Sequence, residues 1–377
     1  MSKKILYVVT EDWYFCSHRL PIARAARAEG YDVWVLAREG EHGDCIRQEG
    51  FTFVPWCLRR GGFNPWHEFM ALVQLFYLYR RLRPSLVHHV AMKPVLYGSI
   101  AARLARVPCV VNAMAGLGFV FSSSHWKARI FRPLIKRMFA VLLRRPNSRL
   151  IIQNRDDAEM FIHEIGIDPG LLSLVRGSGV DIDRYRPSRE AGGAITFTLV
   201  GRMLKDKGVY EFVEAAKKLR AKQASFRAML VGDPDPENPA SIDVRVLRDW
   251  EAQGLVEWLG HRDDISKIWA ESHVAVLPSY REGLPKSLLE AAACGRPIIA
   301  SDVPGCREVV NQDENGFLIP SHSSEALADA MEVLMNDAGL RRRMGEESRR
   351  LAEEAFSDEM VVHQTMAIYH RLCDMEA

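Results

Sequence analysis

Short apolar runs alternate with helical stretches along almost the whole chain, and that rhythm constrains its fold more than any other feature. In the first half the runs are KILYVVT, YDVWVLA, FTFVPW, SLVHHVA, PCVVNAM and RLIIQN, separated by segments such as LPIARAARAEG and VLYGSIAARLAR. Runs this short and apolar read as strands covered on both faces, and strands alternating with helices form parallel, doubly wound α/β sheets. LVRGSGVDIDRYRP, residues 174–187, interrupts the series with glycines, turn residues and a proline. Six further runs then follow: ITFTLVG, FRAMLVG, LVEWLG, HVAVLP, RPIIAS and GFLIP. At 377 residues the chain exceeds one ordinary core. The expected division is a first domain over 1–185 and a second over 186–356.

Composition narrows the setting. Seven cysteines, an odd number with no C-x-x-C pair, argue against a disulfide framework and fit a reducing cytoplasm. MSKK runs straight into ILYVVT without a small-residue cleavage site, so no secretory signal is expected. No run of ~18 apolar residues is present, so no spanning helix is expected. The net charge of +2 conceals an asymmetry: residues 1–150 carry 23 Lys and Arg against 9 Asp and Glu, leaving the remainder acidic. A basic half can attract nucleic acid, an anionic membrane or an acidic acceptor. Zinc-finger spacing and basic zippers are missing, and a helix-turn-helix would be an odd insert in an alternating α/β domain, so nucleic acid is not expected.

The basic residues concentrate beside apolar ones. HWKARIFRPLIKRMFAVLLRRPNSR, residues 125–149, holds eight Lys and Arg and no acid, with Trp126, Ile130, Leu134 and Met138 at helical spacing. FMALVQLFYLYRRLR, residues 69–83, repeats the theme. Aromatic and aliphatic groups beside cations are what a helix lying on an anionic membrane needs, so both stretches predict peripheral contact with the inner face of the cytoplasmic membrane. Two helices packed on a sheet with solvated basic faces is the alternative.

The candidate chemistry sits in EGLPKSLLE, residues 282–290. A valine-rich strand precedes it, Pro285 suits a first helical position, and Gly295 with Pro297 marks the stop. The N–H groups of such a first turn lack intrahelical partners and favour phosphate oxygens. Glu282 falls in the loop and Glu290 inside the helix, so two carboxylates bracket the anion site. GRMLKDKG, residues 201–208, ends another strand and offers Arg202, Lys205 and Lys207. Ligands of open parallel sheets bind beyond the carboxyl ends of the strands, where these cations would clamp phosphates.

GRMLKDKG followed by EGLPKSLLE, with two glutamates eight positions apart, resembles the C-terminal domain of the retaining glycosyltransferases of family 4. The resemblance implies a GT-B fold, two doubly wound Rossmann-like domains whose parallel sheets face a central cleft, with a final helix over 357–377 returning to the first. It implies transfer of a sugar, with retention, from a nucleotide-diphosphate sugar, here a UDP-sugar. Arg202, Lys207 and Glu282 would carry the chemistry; Gly201, Gly283, Leu284 and Lys286 would line the donor, Arg262 would lie at the base, and Glu290 would take the ribose hydroxyls. No cofactor or bound metal is implied, and DPDPENP, residues 233–239, is only superficially a metal-binding motif.

DWYFCSHRLP, AGLGFVF and GSGVD resemble the surface-polysaccharide branch of that family, which implies an acceptor on a polyprenyl diphosphate. Acceptor-side candidates are Asp12 and His18 in the loop 11–21, Lys93 beyond the strand SLVHHVA, and Gly116, whose lack of a side chain would let a ligand approach the backbone. For Asp12 and His18, capping and packing are equal alternatives. Many family members carry a histidine where this chain has Ala115, which leaves the N-terminal catalytic contribution open. The paired His88 and His89 would point to opposite faces of a strand and so not share a metal. A soluble small-molecule transferase, a nucleotide-sugar epimerase and a non-catalytic nucleotide-sugar-binding protein are the competing readings.

Overall fold

The computed structural model of the chain describes residues 3–58, 64–114, 116 and 126–374, with the side chains of 126–131 excepted. The chain divides into two compact units, Met1–Ser178 with Glu359–Ala377, and Gly179–Asp358.

In the first unit the strands are β1 (Lys4–Glu11), β2 (Asp32–Arg38), β3 (Thr52–Pro55), β4 (Leu86–Val90), β5 (Cys109–Met114), β6 (Ser148–Ile152) and β7 (Leu172–Leu174). They form one sheet in the order β3-β2-β1-β4-β5-β6-β7, and every pairing is parallel. The pleat explains the unbroken apolar runs, since each face has its own core. Ile5, Tyr7 and Val9 join one buried cluster, while Leu6 and Val8 join another with Leu75, Tyr79 and Val87. The first cluster is completed by Val361, Met366, Ile368, Tyr369 and Leu372 of the last helix, Asp358–Asp374.

Two details depart from the sequence reading, and a third agrees with it. The segment 11–21, expected as a loop, is mostly helical, with helices Asp12–His18 and Leu20–Ala28 meeting at Arg19. Phe15 is fully buried, and the Tyr14 and His18 rings stack at 4.1 Å, one turn apart, so packing overrides the loop-like composition. The edge strand β7 is absent from the expected apolar runs and ends where the irregular stretch 174–187 begins. His88 and His89 do take opposite faces: His88 Nδ1 meets the Tyr369 hydroxyl at 2.5 Å, while His89 bridges the Tyr79 hydroxyl and Asn112 Oδ1 at 2.7 Å each. Burial pushes His88 well below the ordinary histidine range and brings His89 down to about 4, so both act as neutral packing groups.

The second unit contains β8 (Ile195–Val200), β9 (Phe226–Val231), β10 (Glu257–Trp258), β11 (Val274–Leu277), β12 (Ile298–Ser301) and β13 (Gly316–Ile319). Their order is β10-β9-β8-β11-β12-β13, again all parallel. The chain winds outward from β8 in one direction and from β11 in the other. The direction therefore switches between these two neighbours, and open α/β sheets bind ligands beyond the carboxyl ends of such a pair.

Candidate functional site

The loops leaving β8 and β11 are stitched together by backbone before any side chain is considered. The Tyr280 amide donates to the Asp206 carbonyl at 2.9 Å. Gly208 has φ +71°, and a Cβ there would stand 2.0 Å from the Pro278 carbonyl oxygen, so only glycine allows the loops this close. On the other side, a Cβ on Gly232 would lie 2.1 Å from the Gly201 carbonyl oxygen.

That close approach brings Lys207 to Glu282, Nζ to Oε1 at 2.5 Å. Ser279, fully buried, donates its hydroxyl to the same oxygen at 2.6 Å. Both donors fix one carboxylate oxygen and thereby orient the other. Behind the loop, a Cβ on Gly305 would be 2.5 Å from the Gly283 carbonyl oxygen, so Glu282 and Gly283 rest directly on helix Pro304–Arg307. Leu284 is half-buried against the apolar cluster beneath. Arg202 turns elsewhere, its Nη1 lying 2.5 Å from Asp235 Oδ2. Of the two principal cations expected, one meets Glu282 and the other is held by an acid of the neighbouring loop. Asp235 is itself anchored, its amide donating to Ser241 Oγ at 2.9 Å. Among the described residues no three His, Cys, Asp or Glu side chains group as a metal site.

Helix Lys286–Ala293 begins one residue later than expected, with Pro285 in extended conformation at the N-cap. The Leu288 and Leu289 amides both reach the Pro285 carbonyl. Glu290 is buried, and the Tyr185 hydroxyl donates to its Oε1 at 3.0 Å. Burial raises the Glu290 pKa, while the Lys286 ammonium and the Tyr185 hydrogen bond oppose the rise. Arg262 forms a two-pronged pair with Asp264, both contacts at 2.8 Å. Asp264 stands at the N-cap of helix Ile265–Glu271, but its carboxylate makes no cap hydrogen bond. The guanidinium fork matches both of its oxygens and takes it instead.

In the first unit, Asp12 is buried and accepts the amides of Trp13 at 2.7 Å, Gly40 at 2.7 Å and His42 at 3.0 Å. Its carboxylate holds the loop after β2. Lys93, in the first turn of helix Met92–Ala105, pairs with Glu68 at 2.7 Å. Ala91, at the N-cap of that helix, has φ 77° and ψ 164°, a region otherwise left to glycine, at the switch between β1 and β4. Gly116 has φ +115°. Ala115 and the rest of the AGLGFVF loop lie outside the described residues.

Sequence reasoning missed Ser279 and Tyr185. Ser279 stands three residues before Glu282 and was legible as a hydroxyl beside the motif, whereas Tyr185 is 105 residues from Glu290 and nothing in the chain announces the contact.

Helix Pro65–Leu82 buries Ala71, Leu75, Tyr79 and Leu82 yet leaves Trp66 66%, Phe69 53% and Tyr77 67% exposed. On helix Trp126–Leu142, Leu134 and Val141 are exposed, while Trp126 and Ile130 carry no described side chain. No helix among the described residues is long and apolar enough to cross a membrane.

Residues 194–337 match the family model described as glycosyl transferases group 1, and residues 4–154 match glycosyl transferase 4-like. An N,N'-diacetylbacillosaminyl-diphospho-undecaprenol alpha-1,3-N-acetylgalactosaminyltransferase of Campylobacter jejuni is 26% identical over 94% of this chain and 95% of the relative. A UDP-Gal:alpha-D-GlcNAc-diphosphoundecaprenol alpha-1,3-galactosyltransferase of Escherichia coli is 30% identical over 72% of this chain and 71% of the relative. In fold, the chain is similar to Anabaena HepE solved with UDP and glucose, with TM-score 0.79, 20% identity, and coverage of 98% of this chain and 100% of that one.

Proposed function

This chain belongs to the group 1 glycosyl transferases, with the two Rossmann-like units of the GT-B fold, and on that premise we propose that it transfers a sugar, with retention, from a UDP-sugar to a polyprenyl-diphosphate-linked glycan of a surface polysaccharide. The observation that carries the donor half is the meeting of Lys207 and Glu282 beyond the carboxyl ends of β8 and β11. A nucleoside diphosphate leaves as a polyanion, and cations fixed in advance where that charge grows lower the barrier without reorganising in the reaction. Lys207 fills that role, with Arg202 joining once the diphosphate competes with Asp235. Glu282, with the backbone of Gly283 and Leu284, receives the donor sugar; Glu290 receives the ribose, Arg262 lies by the base, and Gly201 and Lys286 complete the donor lining. The proposal needs no metal, because these side chains and the start of helix Lys286–Ala293 meet the charge.

The acceptor half is supported by the activities of the two relatives and by the exposed Trp66, Phe69 and Tyr77 of helix Pro65–Leu82, with Arg80 and Arg81 one turn beyond Tyr77. Exposed aromatics along a helix that ends in arginines suit the headgroup region of an anionic membrane, which fits a peripheral enzyme on its cytoplasmic face. Lys93 and Gly116 are the acceptor-side residues we favour, while Asp12 and His18 support them from within the packing. A thermal-shift screen of UDP- and GDP-sugars, followed by incubation of the stabilising donor with a bacterial lipid extract, tests the reading. Release of nucleotide with sugar incorporated into lipid-linked glycan, the anomeric configuration kept, is expected. Epimerised donor in the absence of acceptor would overturn it.

A further inference from the structure

Tyr185 belongs to the segment that opens the second unit, yet its ring reaches the helix carrying Glu290. Its backbone is fixed independently of that contact. The Tyr185 amide donates to the Asp181 carbonyl at 2.9 Å, and the Tyr185 carbonyl accepts from Arg349 Nη1 at 2.8 Å. The same Nη1 lies 2.7 Å from the Ala293 carbonyl, at the far end of the Glu290 helix, and 3.2 Å from the Ile182 carbonyl. One guanidinium therefore ties the segment and the helix into a single piece. The Tyr185 ring is buried with Leu288, Leu289, Ala292 and Trp269. With backbone and ring held, the hydroxyl has a single direction to point, and Glu290 Oε1 receives it at 3.0 Å.

We propose that Tyr185 is a positioning residue for nucleotide recognition, holding Glu290 by one oxygen so that the other is presented, ionised, to ligand hydroxyls. This rests on the reading of Glu290 as the ribose-binding acid. Packing alone does not require the phenol, because a phenylalanine ring would fill the same space. The hydroxyl's consequence is electrostatic. A hydrogen bond donated to a carboxylate favours its charged form, and Glu290 is buried where that form is otherwise disfavoured. The other groups facing it are Lys286 and Cys294 on its own helix, Arg184 on the Tyr185 segment and the Trp269 indole on helix Ile265–Glu271.

The test is calorimetric titration of the full chain with UDP, and with GDP in parallel, from pH 5 to 8, for wild type, Tyr185→Phe and Glu290→Gln. Glu290→Gln should lose at least about tenfold in affinity at pH 8. In wild type, affinity should weaken as pH falls through the raised Glu290 pKa. In Tyr185→Phe the weakening should begin about one pH unit higher, with less than about threefold loss at pH 8 and a melting temperature lowered there by only about 3–5 °C. A Tyr185→Phe profile that overlays wild type while Glu290→Gln loses affinity would overturn the role of Tyr185 alone. A Glu290→Gln variant that binds as wild type would remove the ribose reading and the proposal with it.

Discussion

Lys207 and Glu282 lie 75 residues apart in the chain and 2.5 Å apart in the fold, because β8 and β11 are neighbours at the point where the second sheet reverses direction. The contact joins the two motifs that carry the donor-site reading. Lys207→Ala should therefore lower turnover by roughly 10²–10³-fold, the loss typical of removing one preorganised donor at a developing charge, while nucleotide affinity changes little. Initial-rate kinetics beside calorimetry separate the two effects. Equal losses in both would show that the lysine serves ground-state binding.

Glu290→Ala should behave in the opposite manner, weakening UDP binding by about 10–100-fold with a smaller effect on turnover at saturating donor. The buried setting of Glu290 also leaves the Tyr185 hydroxyl without its acceptor, so a drop in melting temperature should accompany the loss.

Gly208→Ala should damage the site without touching any polar group. The left-handed backbone costs an alanine about 1 kcal/mol, and the added methyl overlaps the Pro278 carbonyl, so the loops must part. Denaturant unfolding should show a loss of about 2 kcal/mol or more, with activity falling further than stability explains.

Asp358 gives a stability test with a defined sign. Burial, opposed by the Lys286 ammonium, and the nearby Asp181 carboxylate push its carboxyl up to about 6. An acid whose folded pKa exceeds its unfolded value, about 4, takes up protons more readily in the folded state. Stability thus declines as pH rises through that interval, and the whole penalty is present above pH 6. Asp358→Asn removes it. At pH 7.5 the variant should melt roughly 2–4 °C higher than wild type, after solvent screening and the small benefit of a carboxylate at a helix start are allowed for, and the gap should close near pH 4.

Trp66→Ser, Phe69→Ser and Tyr77→Ser should leave the melting temperature unchanged, because these side chains are mostly exposed. Each should reduce partitioning onto vesicles containing anionic lipid by about fivefold or more in co-sedimentation, the effect of withdrawing a partly inserted aromatic ring.

Much of this architecture was legible because buried parallel strands need unbroken apolar runs. Among the described residues, all six strands of the second unit and six of the seven in the first were visible as such, and only the three-residue β7 escaped. The donor motifs were legible for a related reason, since strand ends and helix starts fix where Lys207, Glu282 and Glu290 must lie. What stayed hidden was set by tertiary contact. The helix Asp12–His18 forms in a loop-like sequence because Phe15 finds a core. Arg202 meets Asp235 rather than the helix start because a neighbouring loop brings an acid within reach. Tyr185 reaches Glu290 through a fold that no spacing in the sequence encodes.

The last helix has a consequence for biogenesis. Val361, Ile368, Tyr369 and Leu372 complete a core whose other members were synthesised hundreds of residues earlier. During translation the amino-terminal sheet must therefore wait, with part of one apolar face uncovered, until Asp358–Asp374 has left the ribosome. Premature termination before that helix would leave that part bare, and such fragments are the ones chaperones and proteases would be expected to meet first.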